Sequence, residues 1–190
     1  EPDASILGQL AISHNFELDD LQKNAWISQI TILKDQLAGL DGYIYFEFTI
    51  PRMGKRVDNI LIIGDSIFVL EFKVNATSFH NHDIDQVLDY AVDLKNFHEG
   101  SHHAKIIPIL IATEAPSIDS SLDYSYENTV FDPILTGKNG LHNAIIKIDT
   151  TVGNRINEND WINSRYKPTP TIIEAAKALA SRVERLTVVA

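Results

Sequence analysis

Residues 57–74 restrict the fold of this chain more than any other stretch. Val57 to Ile63 is rich in β-branched residues and ends at Gly64-Asp65-Ser66, a turn signal. Ile67 to Val74 follows, apolar except at Glu71 and Lys73. The stretch reads as two antiparallel strands joined by a tight turn. Side chains alternate along a strand, so Phe68, Leu70, Phe72 and Val74 point one way and Ile67, Val69, Glu71 and Lys73 the other. Charges are rarely buried unless paired or bound to metal, so an acid and a base at the end of so apolar a strand call for a partner. Asp58 can come level with Glu71 across the ladder. Taken alone, these residues are a weak pattern and better suit a structural Glu71–Lys73 ion pair, with Asp58 solvated at the strand end.

The next segment shifts that balance. Periodicity predicts a helix from about Asp83 to His98. Gln86 and Tyr90 lie four apart on one face, and Asp93 and Phe97 continue the stripe. Ile84, Val87, Leu88, Ala91 and Leu94 form an opposite, core-facing stripe. A polar helix face carrying Gln and Tyr thus follows directly after the Asp and Glu-x-Lys hairpin.

In that order, Asp58, Glu71-Phe72-Lys73, and Gln86 with Tyr90 resemble the PD-(D/E)xK nuclease superfamily, in particular its RecB-like branch. The wording from Phe46 to Asp58 and from Glu71 to Val74 is similar to nuclease-like domains placed ahead of a P-loop ATPase or helicase module in bacterial and phage-associated proteins. The resemblance spans nearly the whole chain. It implies an α/β, restriction-endonuclease-like core, with a central mixed sheet of four to five strands flanked by helices. It implies a nuclease-like domain over 1–165 and a linker and helix over 166–190 leading toward an ATPase or helicase domain. The expected partner is DNA and the expected location cytoplasmic.

The residue types suit the chemistry. Phosphodiester hydrolysis needs charge neutralised on the phosphate and a nucleophile near neutral pH. Mg²⁺ or Mn²⁺ prefers oxygen ligands, often one or two carboxylates with water. Asp58 and Glu71 are the expected carboxylates, with the backbone carbonyl of Phe72 as a third ligand. Such a cation stabilises developing charge and lowers the pKa of water. Lys73 is expected to hold or help deprotonate the attacking water. Gln86 and Tyr90 are expected to orient the substrate backbone or the lysine. Members of the superfamily often carry a further acid on a leading helix. Here that turn holds Gln22, Asn24 and Gln29, which puts a second metal ion in doubt.

The net charge of −10 runs against nucleic-acid binding. What matters at a site is where the charges lie. Arg52, Lys55 and Arg56 cluster beside Asp58, whereas acids gather at 17–20, 119–127 and 157–160. The expectation is a locally basic edge for DNA on an acidic body, with weak intrinsic affinity. There is no cysteine, hence no disulfide framework or thiolate zinc site. No apolar run approaches a membrane span, and no signal peptide is evident. The chain begins at Glu1, which reads as a piece cut from something longer. His80, His82, His98, His102 and His103 fit no common zinc spacing and read as solvated loop residues.

The remaining segments read coarsely. Short and long helices are expected over 4–13 and 18–40, the latter with Ala25, Ile27, Ile30, Leu33 and Leu37 on its apolar side. Tyr43 to Ile50 alternates as a half-buried strand, Ile44, Phe46, Phe48 and Ile50 on one face and Glu47 on the other, where it reads as a solvated acid, with membership of the acidic site as the alternative. Lys105 to Thr113 reads as a strand buried on both faces and parallel to a neighbour. Asn128 to Leu135 reads as a last strand broken near Pro133, and 141–148 as a helix. Gly137-Lys-Asn-Gly140 is a turn, lacking the full phosphate-loop pattern. Trp161 and Tyr166 read as packing anchors, and Thr171 as the N-cap of a last helix, 172–186. A non-catalytic nucleic-acid-binding module and a protein-interaction module regulating an attached ATPase are the alternatives. Neither has a chemical need for Asp58, Glu71 and Lys73 together.

Overall fold

The computed structural model describes residues 5–6, 8–10, 20–118 and 130–185. Residues 8–10 are helical, and most of the first expected helix lies outside the described residues. The elements that follow are α1 (Asp20–Gln36), β1 (Tyr43–Ile50), β2 (Lys55–Ile63), β3 (Ser66–Lys73), α2 (Asn81–Phe97) and a 3-10 turn (Glu99–Ser101). Then come β4 (Lys105–Ala112), β5 (Ile134–Thr136), α3 (Leu141–Ile146), α4 (Glu158–Ile162) and α5 (Pro170–Arg185).

The strands form one five-stranded sheet in the order β1-β2-β3-β4-β5. β1, β2 and β3 pair antiparallel, whereas β4 and β5 run parallel to β3. A parallel neighbour needs a crossover, and α2 supplies it between β3 and β4. The fold is therefore α/β, a central mixed sheet flanked by helices, as the sequence predicts.

The alternation of β3 sorts the core into two layers. Ile67 and Val69 pack with Val87, Tyr90, Ala91 and Leu94 of α2. Phe68, Leu70 and Phe72 pack with Leu33 of α1 and with Leu141, Ala144 and Ile145 of α3. β4 contributes to both layers, Ile106 and Leu110 to one and Ile107, Ile109 and Ile111 to the other. Burial on both sides explains its unbroken apolar sequence.

Gly64 makes the β2–β3 turn with φ 59°. A Cβ there would meet the Thr150 carbonyl oxygen at 2.0 Å, so the turn needs glycine for space as well as for dihedral freedom. The closeness is used: Asp65 N–H donates to Thr150 O at 3.0 Å and Ile156 N–H to Gly64 O at 2.8 Å.

Several expectations change. In β1 the alternation does not persist: Phe46 packs on the α1 side, Phe48 and Ile50 on the α2 side. In α1, Trp26 is buried and Ile27 is 47% exposed, because the helix meets the sheet through Trp26, Ile30 and Leu33. Val130 forms only an isolated bridge to Ile106, and regular pairing begins after Pro133, which lacks a backbone donor. α5 starts at Pro170, and Ile173 N–H donates to Thr169 O. Thr169, not Thr171, is therefore the capping position, since proline suits the first helical residue.

Trp161 and Tyr166 anchor the C-terminal segment, as expected. The Trp161 ring lies against Tyr45, Phe48 and His98, and its indole donates to Ser101 Oγ at 2.9 Å. Backbone bonds from Glu99 N–H to Arg165 O, Lys167 N–H to Phe97 O and Thr169 N–H to Asn96 O lay residues 165–169 along the end of α2. Among the described residues no helix is long and apolar enough to cross a membrane.

Trp161→Ala removes a ring that is 1% exposed and frees Ser101. The expected loss is about 3–5 kcal/mol of stability, measured by urea denaturation at unchanged m-value.

Candidate active site

The β2–β3 ladder ends at Asn59 opposite Leu70. One step further, Asp58 and Glu71 come level without forming the next rung. The Phe72 N–H, which would have joined that edge, instead donates to Asp58 Oδ2 at 2.8 Å. An extended residue sends its N–H and C=O to the same strand edge. The Phe72 carbonyl therefore also faces the gap where β2 and β3 part.

Glu71 is 5% exposed. Its Oε1 accepts from Lys73 Nζ at 3.1 Å and from Gln86 Nε2 at 2.9 Å. Its Oε2 is buried with no hydrogen-bond partner. Lys73 Nζ also donates to Gln86 Oε1 at 3.1 Å, and Gln86 Nε2 reaches Tyr90 OH at 2.8 Å. The structure thus brings together Asp58, Glu71, Lys73, Gln86 and Tyr90.

The helix face differs from the expected one. Tyr90 is buried in the same core layer as Val87, Ala91 and Leu94. The polar and apolar stripes of α2 adjoin rather than oppose, because the helix lies flat on the sheet and both stripes meet it. The same geometry adds a residue that the sequence reading missed. Asp83 is 6% exposed and its Oδ1 lies 3.1 Å from Lys73 Nζ. Its signal was present: Asp83 lies three residues before Gln86 on one helical face, in a first turn where the helix dipole favours an acid.

Glu47 is not the solvated acid expected. Its Oε1 accepts from the Trp26 indole at 2.8 Å, and its Oε2 lies 3.6 Å from Arg56. The basic residues have structural partners too. Arg52 donates to Asp93 Oδ1 at 2.6 Å and lies over the Phe97 ring at 4.1 Å. Asp93 also accepts from Tyr166 OH at 2.6 Å. Lys55 is exposed at the start of β2. On α1, Gln29 is buried and Asn24 exposed, and the side chain of Gln22 lies outside the described residues.

Electrostatics follow from this crowding. Burial, and then the Glu71 charge, push the Asp58 carboxyl up to about 8. Burial also raises Glu71, against the pull of Lys73. Burial alone would lower the Lys73 ammonium, but Glu71 and Asp83 outweigh it and the net shift is upward. Two carboxylates share a dry gap with too little positive charge.

Among the described residues no group of three or more His, Asp or Glu is gathered for a metal ion. Mg²⁺ needs no such cage, taking one or two carboxylates with waters and substrate oxygens. Asp58, the orphaned Glu71 Oε2 and the Phe72 carbonyl make an oxygen-only set that fits such a cation.

No protein-family model matches the chain, and no curated protein matches it. A solved structure resembles part of it: the crystal structure of a repair endonuclease from Pyrococcus abyssi, at 21% identity, with a TM-score of 0.34. The likeness covers 54% of this chain and 41% of that one.

The Asp58 shift makes a stability prediction. Its carboxyl moves from 3.8 to about 8 on folding. Between those values the folded state holds a proton that the unfolded chain has lost, so cation-free stability falls as pH rises through that window. Asp58→Asn is expected to raise the cation-free melting temperature at pH 8 and to flatten this pH dependence. Mg²⁺ or Mn²⁺ is expected to raise the wild-type melting temperature and that of the variant less. Thermal melts at pH 5 and 8, with and without divalent ion, measure all three effects.

Proposed function

We propose that this chain is a metal-dependent nuclease domain that hydrolyses phosphodiester bonds of DNA, on a restriction-endonuclease-like core of the RecB-like PD-(D/E)xK type. The observation that carries this reading is the gathering of Asp58, Glu71, Lys73, Gln86 and Tyr90 where β2 and β3 part, with Glu71 Oε2 buried and unpartnered. An unsatisfied buried acceptor costs about 1–3 kcal/mol, a cost that a bound cation would offset.

Asp58 and Glu71, with the Phe72 carbonyl, would hold Mg²⁺ or Mn²⁺. Bound there, the cation would neutralise phosphate charge and supply a nucleophilic water near neutral pH. The side chains divide the remaining work. Lys73 keeps its proton between Glu71 and Asp83, so it suits positioning a water and offsetting charge in the transition state better than accepting a proton. Gln86 bridges Glu71, Lys73 and Tyr90, fixing the carboxylate that would hold the cation. Asp83 holds the lysine from the other side. Lys55, Arg52 and Arg56 are the proposed contacts to the DNA backbone. Because Asp93 and Glu47 compete for the two arginines, intrinsic affinity is expected to be weak. The segment beyond Thr169 is proposed to lead toward a P-loop ATPase or helicase domain that supplies the grip.

The test is cleavage of single- and double-stranded DNA with Mg²⁺ or Mn²⁺, with and without chelator. Chelator is expected to abolish cleavage. Asp58→Ala, Glu71→Ala and Lys73→Ala are each expected to abolish it while the protein stays folded, and their effects should not add. Metal-independent cutting, or wild-type rates in the Lys73→Ala protein, would overturn the reading.

A smaller effect is expected from the helix. Tyr90→Phe removes one neutral hydrogen bond, contributing about 0.5–1.5 kcal/mol, whereas Gln86→Ala also removes bonds to the charged Glu71 and Lys73, contributing about 1.5–3 kcal/mol each. Cleavage is expected to slow by roughly two- to tenfold in Tyr90→Phe and by roughly tenfold or more in Gln86→Ala. Cation affinity by calorimetry should stay within a few-fold of wild type, in contrast to loss of a carboxylate ligand.

A further inference from the structure

Glu47 lies in the middle of β1 with φ 52°, the left-handed region that non-glycine residues rarely enter. The β1–β2 register runs unbroken from Tyr43 opposite Ile62 to Phe46 opposite Asn59, then resumes with Phe48 opposite Val57. The rung left out is Glu47 with Asp58. Side-chain alternation slips at the same step. Phe46 packs toward Trp26 and Ile30, and the Glu47 carboxylate is on that side too, bonded to Trp26. Phe48 then falls on the α2 side. Regular strand geometry cannot place neighbouring residues 46 and 47 on one face.

β2 carries the matching irregularity. Val57 and Ile60 both pack in the α2-side layer, three residues apart, which a period of two does not allow. Asp58 sits inside that slip, without a β1 partner, its carboxylate on the Phe72 N–H. Backbone strain concentrates where surrounding structure enforces it, and here the enforcing groups are visible. The Trp26 indole and Arg56 hold the Glu47 carboxylate from the α1 side.

We propose that Glu47 is a positioning residue for Asp58. Its left-handed backbone, pinned by Trp26 and Arg56, opens the β1–β2 ladder at the one step where Asp58 turns toward Phe72 and Glu71. The purpose of this device rests on the nuclease reading, but its test does not. α1, which carries Trp26, becomes part of the site's support although it places no acid in it.

The Phe72 amide reports the geometry directly, because its acceptor is the Asp58 carboxylate. Hydrogen exchange at Phe72 is compared with that at Phe68, which lies in the middle of β3. Glu47→Gly tolerates the dihedral but also removes the carboxylate that Trp26 and Arg56 hold, and is expected to speed Phe72 exchange less than the valine variant does. Glu47→Val resists the dihedral and is expected to speed Phe72 exchange by roughly tenfold or more, with Phe68 unchanged. Cleavage per folded molecule should fall with Phe72 protection, further in the valine variant than in the glycine variant. Equal Phe72 protection in Glu47→Val and wild type would overturn the proposal. If Glu47→Val does not fold, Trp26→Phe removes the pin without touching the strand. A selective rise in Phe72 exchange is then expected, and unchanged exchange overturns the proposal. A wild-type protein that cuts no DNA would overturn the nuclease reading while leaving the exchange result standing.

Discussion

The structure turns on a carboxylate held almost out of water. Glu71 lies at the end of a strand whose preceding side chains fill both layers of the core, so it is buried whether or not that suits a charge. Lys73 and Gln86 satisfy one of its oxygens and leave the other bare. Asp58 arrives alongside with a second charge that burial also opposes. Most neighbouring features respond to this imbalance. Gln86 ties the lysine to Glu71, and the sheet edges open so that the two acids face a gap rather than a ladder, while Asp83 holds the lysine and adds one more negative charge.

Much of this was legible in the sequence because its signals are local. The β2–β3 hairpin follows from β-branched runs around a glycine turn, and β4 from an apolar run too long to have a wet face. Asp58, Glu71, Lys73, Gln86 and Tyr90 converge because strand period, turn length and helix period fix their directions before any packing occurs. What was not legible depends on contacts between distant segments. Glu47 alternates correctly in the sequence; only Trp26, 21 residues earlier, turns it to the other face. Asp83 and Tyr90 were misjudged for one reason. A helical wheel separates polar from apolar faces, but it does not say how much of the circumference the sheet covers. Arg52 read as a free cation until Asp93 and Phe97 were seen beneath it.

The fold fixes where the acids and cations lie, while the net charge stays at −10. Several acids are engaged inside the fold: Asp65 with Lys105 at 3.0 Å, Asp93 with Arg52, and Glu158 with the Tyr45 hydroxyl. The same accounting applies to the cations, however. Arg52 and Arg56 are partly spent on structure although both stay exposed, and Lys55 is the third exposed cation on this edge.

α2 joins these themes through its length. At 17 residues it is a rod of about 25 Å. Its first two turns hold Lys73 through Asp83 and Gln86, and its far end binds the 165–169 segment through Asp93, Asn96 and Phe97. The crossover helix is therefore also a lever. A load applied to the chain beyond Thr169 enters at one end of a stiff rod, and the lysine of the site sits at the other.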